Sequence, residues 1–138
     1  MTRISRVLIA NRGEIALRVI QACREMNIET VLAVSEADRL SLPAQMADRA
    51  VCIGPPLPSQ SYLKVDTIMA AALGTEADAI HPGYGFLAEQ PELAKACAKY
   101  DLAFIGPRAA HIKQMRDKIF ARQVAVDSGI SIIPGSEL

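Results

Sequence analysis

A parallel α/β sheet wound with helices on both faces is the fold class this sequence predicts, and three observations predict it. Short strand-length runs rich in Val, Leu and Ile alternate with longer stretches along the whole chain. In those longer stretches apolar residues recur at the 3.6-residue period of an amphipathic helix. No internal repeat, low-complexity tract or membrane-length apolar run competes with that alternation. At 138 residues the chain has the length of one ordinary domain, enough to bury roughly two thirds of its unfolded surface.

Taken in order, Arg6 to Ala10 reads as the first strand and Asn11-Arg12-Gly13 as a tight turn. Gly13 to Met26 reads as a helix with Ile15, Val19, Ala22, Cys23 and Met26 on one face, and Thr30 to Val34 as a strand completing a βαβ unit. Ala50 to Ile53 is a short third strand, and the prolines of Gly54-Pro55-Pro56-Leu57-Pro58 force an irregular connector. A second helix follows with Ser61 as N-cap, Val65, Ile68, Met69 and Ala72 as its apolar period and Gly74 as its stop. Ala79 to His81 is the fourth strand, Pro82 to Glu89 a loop, and Pro91 to Lys99 a helix with Leu93, Ala96, Cys97 and Tyr100 on its apolar side, Pro91 suiting the first turn. Leu102 to Ile105 is the fifth strand, closed by Gly106-Pro107. Beyond it, Ala109 to Met115 and Lys118 to Asp127 read as helices, and Ile130 to Ile133 as a strand that leaves the domain and needs a partner to satisfy its backbone. The compact domain is therefore expected to span residues 1–114, with 115–138 the entrance to a second domain cut short.

Composition excludes several classes of function. Lys plus Arg and Asp plus Glu number fifteen each, so no global field recruits nucleic acid or an anionic membrane. Three Tyr, three Phe and no Trp leave little material for stacking bases. Cys23, Cys52 and Cys97 are far apart, odd in number and set among apolar residues, so all three read as small buried hydrophobes in a reducing compartment. No cysteine pair has metal-ligand spacing and His81 and His111 stand apart, so no metal site is expected from this chain. Met1-Thr2-Arg3 leads into the first strand with no apolar signal core, and the expectation is a soluble cytoplasmic protein.

Two turns carry the chemistry. The helix after Asn11-Arg12-Gly13 aims unpaired backbone N–H groups above the sheet, where an anion would be favoured; alternatively Gly13 only closes the turn. The loop His81-Pro82-Gly83-Tyr84-Gly85-Phe86-Leu87-Ala88 follows a strand's carboxyl end, where open α/β sheets bind ligands, and its glycines let backbone approach a ligand closely. Tyr84 between them reads equally as a stacking surface or a plug over the core. His81 reads as a hydrogen-bonded structural histidine or as a general base. The loop also satisfies G-x-G-x-x-A, which opens a rival dinucleotide-binding reading. Against it, Pro91 delays the helix, and the acidic Asp101 precedes the next strand instead of ending it. No Ser/His/Asp or Cys/His arrangement supports a nucleophile, so no catalytic residue is assigned.

Several segments, in this order and spacing, resemble the amino-terminal domain of biotin carboxylases: Ala10-Asn11-Arg12-Gly13-Glu14-Ile15-Ala16, Ser35-Glu36-Ala37-Asp38-Arg39, Ala47-Asp48, Val51-Cys52-Ile53-Gly54-Pro55, Ser61-Tyr62-Leu63, Ala79 to Leu87, Phe104-Ile105-Gly106-Pro107, Asp117-Lys118 and Pro134-Gly135. The resemblance implies a Rossmann-like domain followed by the truncated start of an ATP-grasp domain. It further implies a component of an ATP-dependent ligase in which ATP, Mg and bicarbonate yield a carboxyphosphate and biotin on a carrier protein captures the carbon dioxide. By the same resemblance Lys118 faces ATP, and Tyr84 and Gly85, with Gly83, form a wall against which biotin rests. The implied partners are the ATP-grasp and carboxyl-terminal domains, the biotin carboxyl carrier protein and a carboxyltransferase, with a possible homodimer. The carboxylates for magnesium, the base and arginine for bicarbonate and most ATP contacts belong to segments absent here, so the isolated chain is expected to be inactive. A stand-alone binding or assembly module with the same fold is the alternative.

Pro43, Arg49, Arg116, Ala88-Glu89-Gln90 and Gln21 depart from the family pattern. Arg116, where the family has a glycine before Asp-Lys, raises the question of whether the backbone beside Lys118 needs glycine's freedom. Gln21, where many members have an arginine at the dimer contact, leaves the oligomeric state open.

Overall fold

The computed structural model describes residues 3–135. Met1 and Thr2, read as the lead into the first strand, and residues 136–138, the end of the second segment, lie outside the described residues. Five parallel strands, β1 (Arg6–Ile9), β2 (Glu29–Val34), β3 (Arg49–Cys52), β4 (Ala79–His81) and β5 (Ala103–Phe104), form one sheet in the order β3-β2-β1-β4-β5. The helices are α1 (Gly13–Glu25), α2 (Leu42–Met46), α3 (Val65–Gly74), α4 (Pro91–Lys99), α5 (Ala109–Met115) and α6 (Lys118–Asp127).

Because successive strand residues point to opposite faces, the continuous apolar run of β1 supplies two cores. Val7 and Ile9 pack with Leu32, Val34 and the α1 residues Ala16, Val19, Ile20 and Cys23. Leu8 and Ala10 pack with Val31, Ala33 and Ile80 against Ile68 and Ala72 of α3 and Leu93 and Cys97 of α4. The register Val7↔Thr30, Leu8↔Val31 and Leu8↔Ile80 keeps each face in line across the central strands. The doubly wound parallel sheet expected from the sequence is thus present.

Several local expectations are corrected. The buried face of α1 is Ala16, Val19, Ile20 and Cys23, whereas Met26 is 68% exposed, because the helix ends at Glu25 and the chain turns away at Asn27. Ser61 does not cap α3: its hydroxyl donates to the Leu57 carbonyl (3.0 Å), and the helix begins at Val65 after Lys64. Gly74 does not stop α3 but is its last helical residue; the left-handed residue that stops it is Glu76 (φ 54°). Short 3-10 turns at Glu36–Asp38, Pro58–Gln60 and Phe86–Glu89, together with α2, occupy stretches read as loop. Cys52 is exposed at the end of edge strand β3, unlike the buried Cys23 and Cys97. Ile130 to Ile133 is not a strand: with no neighbouring strand its groups cannot pair in a ladder, and Ile133 is 84% exposed. Arg116 takes ordinary helical backbone angles (φ −69°, ψ −28°), so glycine's freedom is not required there.

Candidate functional site at the carboxyl edge of the sheet

Strand order reverses between β1 and β4, and the turns that follow these two parallel strands open side by side at the carboxyl edge of the sheet. One buried side chain ties them together. Asn11, 1% exposed, donates through Nδ2 to the carbonyls of Pro82 (2.8 Å) and Tyr84 (2.9 Å), while its Oδ1 accepts from the Arg12 backbone N–H (2.9 Å). Both amide protons and the amide oxygen find a partner, so no polar atom of this buried group is left unpaired. Gly83 (φ 65°) sits against it, and a Cβ there would meet Ile15 Cγ2 at 2.6 Å and Asn11 Nδ2 at 2.7 Å. Glycine is needed here both for its backbone angle and for the close approach.

Above these turns lies an open cleft of about 520 Å³, bordered by Arg12, Ile15, Asp38, Tyr84, Gly85 and Phe86. Tyr84 is 65% exposed, which makes it a surface of the cleft and not a plug sunk into the core. Gly85 adopts φ 68° and ψ −168°, a region open essentially only to glycine, with nothing within 4 Å of a Cβ position.

A polar cluster underlies the cleft. Tyr62, fully buried, donates its hydroxyl proton to Asp38 Oδ2 (2.7 Å) and accepts from the Ser35 backbone N–H (2.9 Å); the Ser35 hydroxyl also donates to Asp38 (2.6 Å). Burial alone would raise the Asp38 pKa, but the hydrogen bonds from Ser35 and Tyr62 and the Arg12 charge outweigh it and hold the carboxyl below its ordinary value. Burial, with the Asp38 carboxylate beside it, pushes the Tyr62 phenol up to about 12. Arg12 reaches over this cluster, 3.7 Å from Asp38, with its guanidinium carbon 5.6 Å from the Tyr62 ring centroid and 5.5 Å from that of Phe86.

His81 is half-buried, its pKa lowered by burial, and its Nδ1 accepts the Gly83 N–H at 3.0 Å. A neutral imidazole held in its own turn acts as a structural group. Lys118, exposed in the first turn of α6, borders a separate recess with Glu89, His111 and Arg116. Tyr84 and Lys118 therefore do not share one cavity; the loop from Pro82 to Gln90 forms a wall of each. The glycine pair leads into a 3-10 turn and not directly into a helix N-terminus, which removes the cradle a dinucleotide pyrophosphate would use. Among the described residues no group of three or more His, Cys, Asp or Glu stands close enough to hold a metal ion. The arrangement is a shaped surface bordered by an exposed aromatic ring and by the charged groups of Arg12, Glu14 and Asp38.

The family model described as "Biotin carboxylase, N-terminal domain" matches residues 3–112. The chain belongs to the biotin carboxylase N-terminal domain family. It is 52% identical over 134 residues to biotin carboxylase 1 of Bacillus subtilis (strain 168), covering 97% of this chain and 30% of that protein. It is 51% identical over 130 residues to the mitochondrial propionyl-CoA carboxylase alpha chain of Rattus norvegicus, covering 94% of this chain and 18% of that one. Among solved structures, the biotin carboxylase domain dimer of Hydrogenobacter thermophilus 2-oxoglutarate carboxylase, in complex with MgADP, ADP and bicarbonate, matches with a TM-score of 0.88 at 43% identity, over 99% of this chain and 30% of that one. The chain thus spans about 30% of several biotin carboxylases and less of the longer alpha chain.

Asn11, Arg12 and Asp38 join Tyr84 and Gly85 around the cleft, with Ser35, Tyr62 and Gly83 packed beneath it, although sequence reasoning assigned a site role only to Tyr84, Gly85 and Gly83 among these. Asn11, Arg12, Ser35 and Asp38 carried one readable signal, polar side chains within a few residues of a strand's end, where a parallel sheet presents its ligand edge; Tyr62, ten residues beyond β3, carried none.

Proposed function

We propose that this chain is the amino-terminal domain of an ATP-dependent biotin carboxylase, and that it supplies one wall of the site in which biotin on its carrier protein is carboxylated with bicarbonate. The observation that carries this reading is the exposed Tyr84 beside the open Gly85, on turns locked by Asn11 at the sheet's switch point. Tyr84 offers a flat amphipathic ring to a small bicyclic ligand, and Gly85 lets the ligand approach the backbone. Lys118, a compact positive charge at the start of α6, suits a nucleotide phosphate across the second recess.

Metal and phosphate chemistry demand more than these residues hold. Phosphoryl transfer needs a positioned phosphate, electrostatic stabilisation and metal together, and the recess at the start of α6 offers Lys118 and Arg116 as cations, with no metal-binding cluster among the described residues. ATP, Mg, bicarbonate and biotin are the ligands of the complete enzyme, assembled with ATP-grasp and carboxyl-terminal domains, a biotin carboxyl carrier protein and a carboxyltransferase. The relatives' names span biotin, pyruvate and propionyl-CoA carboxylases, so the acceptor of the carboxyl group is set outside this domain. A homodimer is proposed by likeness to the Hydrogenobacter thermophilus domain dimer. No helix among the described residues is long and apolar enough to cross a membrane, and three free cysteines suit a reducing, cytoplasmic compartment.

Purified chain, free of contaminating enzyme, is expected to show no bicarbonate-dependent ATPase activity. Mixed with a polypeptide carrying the remaining two-thirds of a biotin carboxylase, it is expected to restore carboxylation of free biotin. Turnover by the chain alone, or no activity from the stoichiometric mixture, overturns the reading.

A further inference from the structure

We infer that Arg12 is a positioning residue for the biotin-facing wall, holding Phe86 in a left-handed backbone conformation that fixes where Gly85 and Tyr84 stand. This rests on the proposed role of Tyr84 and Gly85 against biotin. Phe86 has φ 46°, a region L side chains rarely adopt, and it directly follows Gly85. A bulky residue persists there only when its surroundings over-determine it.

The surroundings that do so are specific. The Phe86 ring stacks on Tyr62, with centroids 5.4 Å apart and planes 4° from parallel. Tyr62 is itself immobilised by its bonds to Asp38 and Ser35. Arg12 closes the cluster, its cation reaching both rings while its Nη1 stands 3.7 Å from Asp38. Four connections at the ligand edge of the sheet, those carrying Arg12, Asp38, Tyr62 and Phe86, thereby meet at one guanidinium.

Besides that cluster the wall has two supports, Asn11 and a backbone bond from the Ala88 N–H to the Gly85 carbonyl (2.9 Å). The Tyr84 carbonyl is held by Asn11, but the Tyr84 side chain is largely exposed and Gly85 has open space beside it. The Tyr84–Gly85 segment is therefore tied through its carbonyls to Asn11 and Ala88, and its backbone direction is set by the Phe86 cluster that follows it. Releasing that cluster lets Phe86 relax toward negative φ and carries Gly85 with it. A planar guanidinium contacts two stacked rings and a carboxylate at once, which a lysine ammonium does less well.

The test uses Arg12→Met, which keeps the length of the stem, and Arg12→Lys, which keeps the charge. In the mixture with the remaining carboxylase polypeptide, Arg12→Met is expected to raise KM for free biotin about tenfold, the scale of a partly desolvated cation–π contact. KM for ATP is expected to stay unchanged and Arg12→Lys to recover part of the loss. Equal changes in both KM values, or an unchanged KM for biotin, overturn the inference. On the chain alone, amide hydrogen exchange at residues 84–88 is expected to quicken in Arg12→Met while exchange in β1 and α1 stays as in the wild type; unchanged loop exchange also overturns it. If the wild-type mixture carboxylates no biotin, the functional reading fails, while the exchange experiment still decides whether Arg12 holds the loop.

Discussion

Among single residues, two carboxylates stitch strand starts together. Asp78 Oδ2 accepts from the Ser5 backbone N–H (2.7 Å), the Ser5 hydroxyl (2.6 Å) and the Arg6 backbone N–H (2.8 Å). Asp48 Oδ2 accepts from the Thr30 N–H (2.8 Å) and hydroxyl (2.7 Å), joining the approach to β3 to β2. The side-chain hydrogen bond from Ser5 leads in lowering the Asp78 pKa, and that from Thr30 in lowering Asp48. A carboxyl whose pKa is lower folded than unfolded stabilises the fold above the unfolded value, about 4, and loses that contribution as pH falls through the folded value. Asp78→Asn is therefore expected to lower the urea midpoint at pH 7 and to shrink its difference from the wild type toward zero near pH 2. A difference that stays constant from pH 7 to pH 2 would show that the charge is not what matters.

At the scale of elements, helix endings explain both what the sequence disclosed and what it concealed. After α1, α3 and α4 the chain turns left-handed at Asn27, Glu76 and Asp101, with φ near 55° at each. Paired closing bonds accompany the first two: Asn27 N–H to Arg24 O (3.0 Å) with Ile28 N–H to Cys23 O (2.9 Å), and Glu76 N–H to Leu73 O (3.1 Å) with Ala77 N–H to Ala72 O (3.0 Å). Glutamate has no local compensation for that conformation, and its ion pair with Arg6, at 3.7 Å on an 89% exposed side chain, contributes little. Glu76→Gly is expected to stabilise the domain by about 0.5–1 kcal/mol, read as a higher urea midpoint. An unchanged or lower midpoint would mean that the ion pair outweighs the backbone strain. The same geometry explains why Gly74 misled the sequence reading: glycine is the usual stop, but here a glutamate two residues later fills that position. The bounds of α4, α5 and α6 were legible because Pro91 and Asp117 act locally; the Asp117 side chain accepts from the Ile119 and Phe120 N–H groups. The position of Tyr84 and Gly85 in a turn after β4 was legible for the same reason, while their role against biotin came from the family resemblance alone. The cluster of Arg12, Asp38, Tyr62 and Phe86 was not, because it forms only when the sheet brings four distant connections together.

At the scale of the whole molecule, the proposed division near residue 114 separates two regimes of packing. Ile112 on α5 is buried, whereas α6 buries no residue, and Ile119, Phe120, Val124, Val126, Ile130, Ile132 and Ile133 are all substantially exposed. What holds 118–135 in place is mostly internal: Ile130 N–H to Ala125 O (2.9 Å) and Arg122 Nη1 to Ile133 O (2.9 Å). An apolar surface of this extent marks a place for contact with other protein. Since the segment buries so little against the sheet, ending the chain after Gln114 is expected to change the unfolding free energy by less than about 1 kcal/mol. The full chain is also expected to self-associate at high concentration and the shortened chain not to, measured by sedimentation velocity beside urea unfolding, because the exposed Ile, Phe and Val side chains leave with the segment. A loss of several kcal/mol would place residues 115–135 within the cooperative unit and move the boundary downstream. Little change in stability would make the sheet and its carboxyl-edge cleft a self-sufficient folding unit.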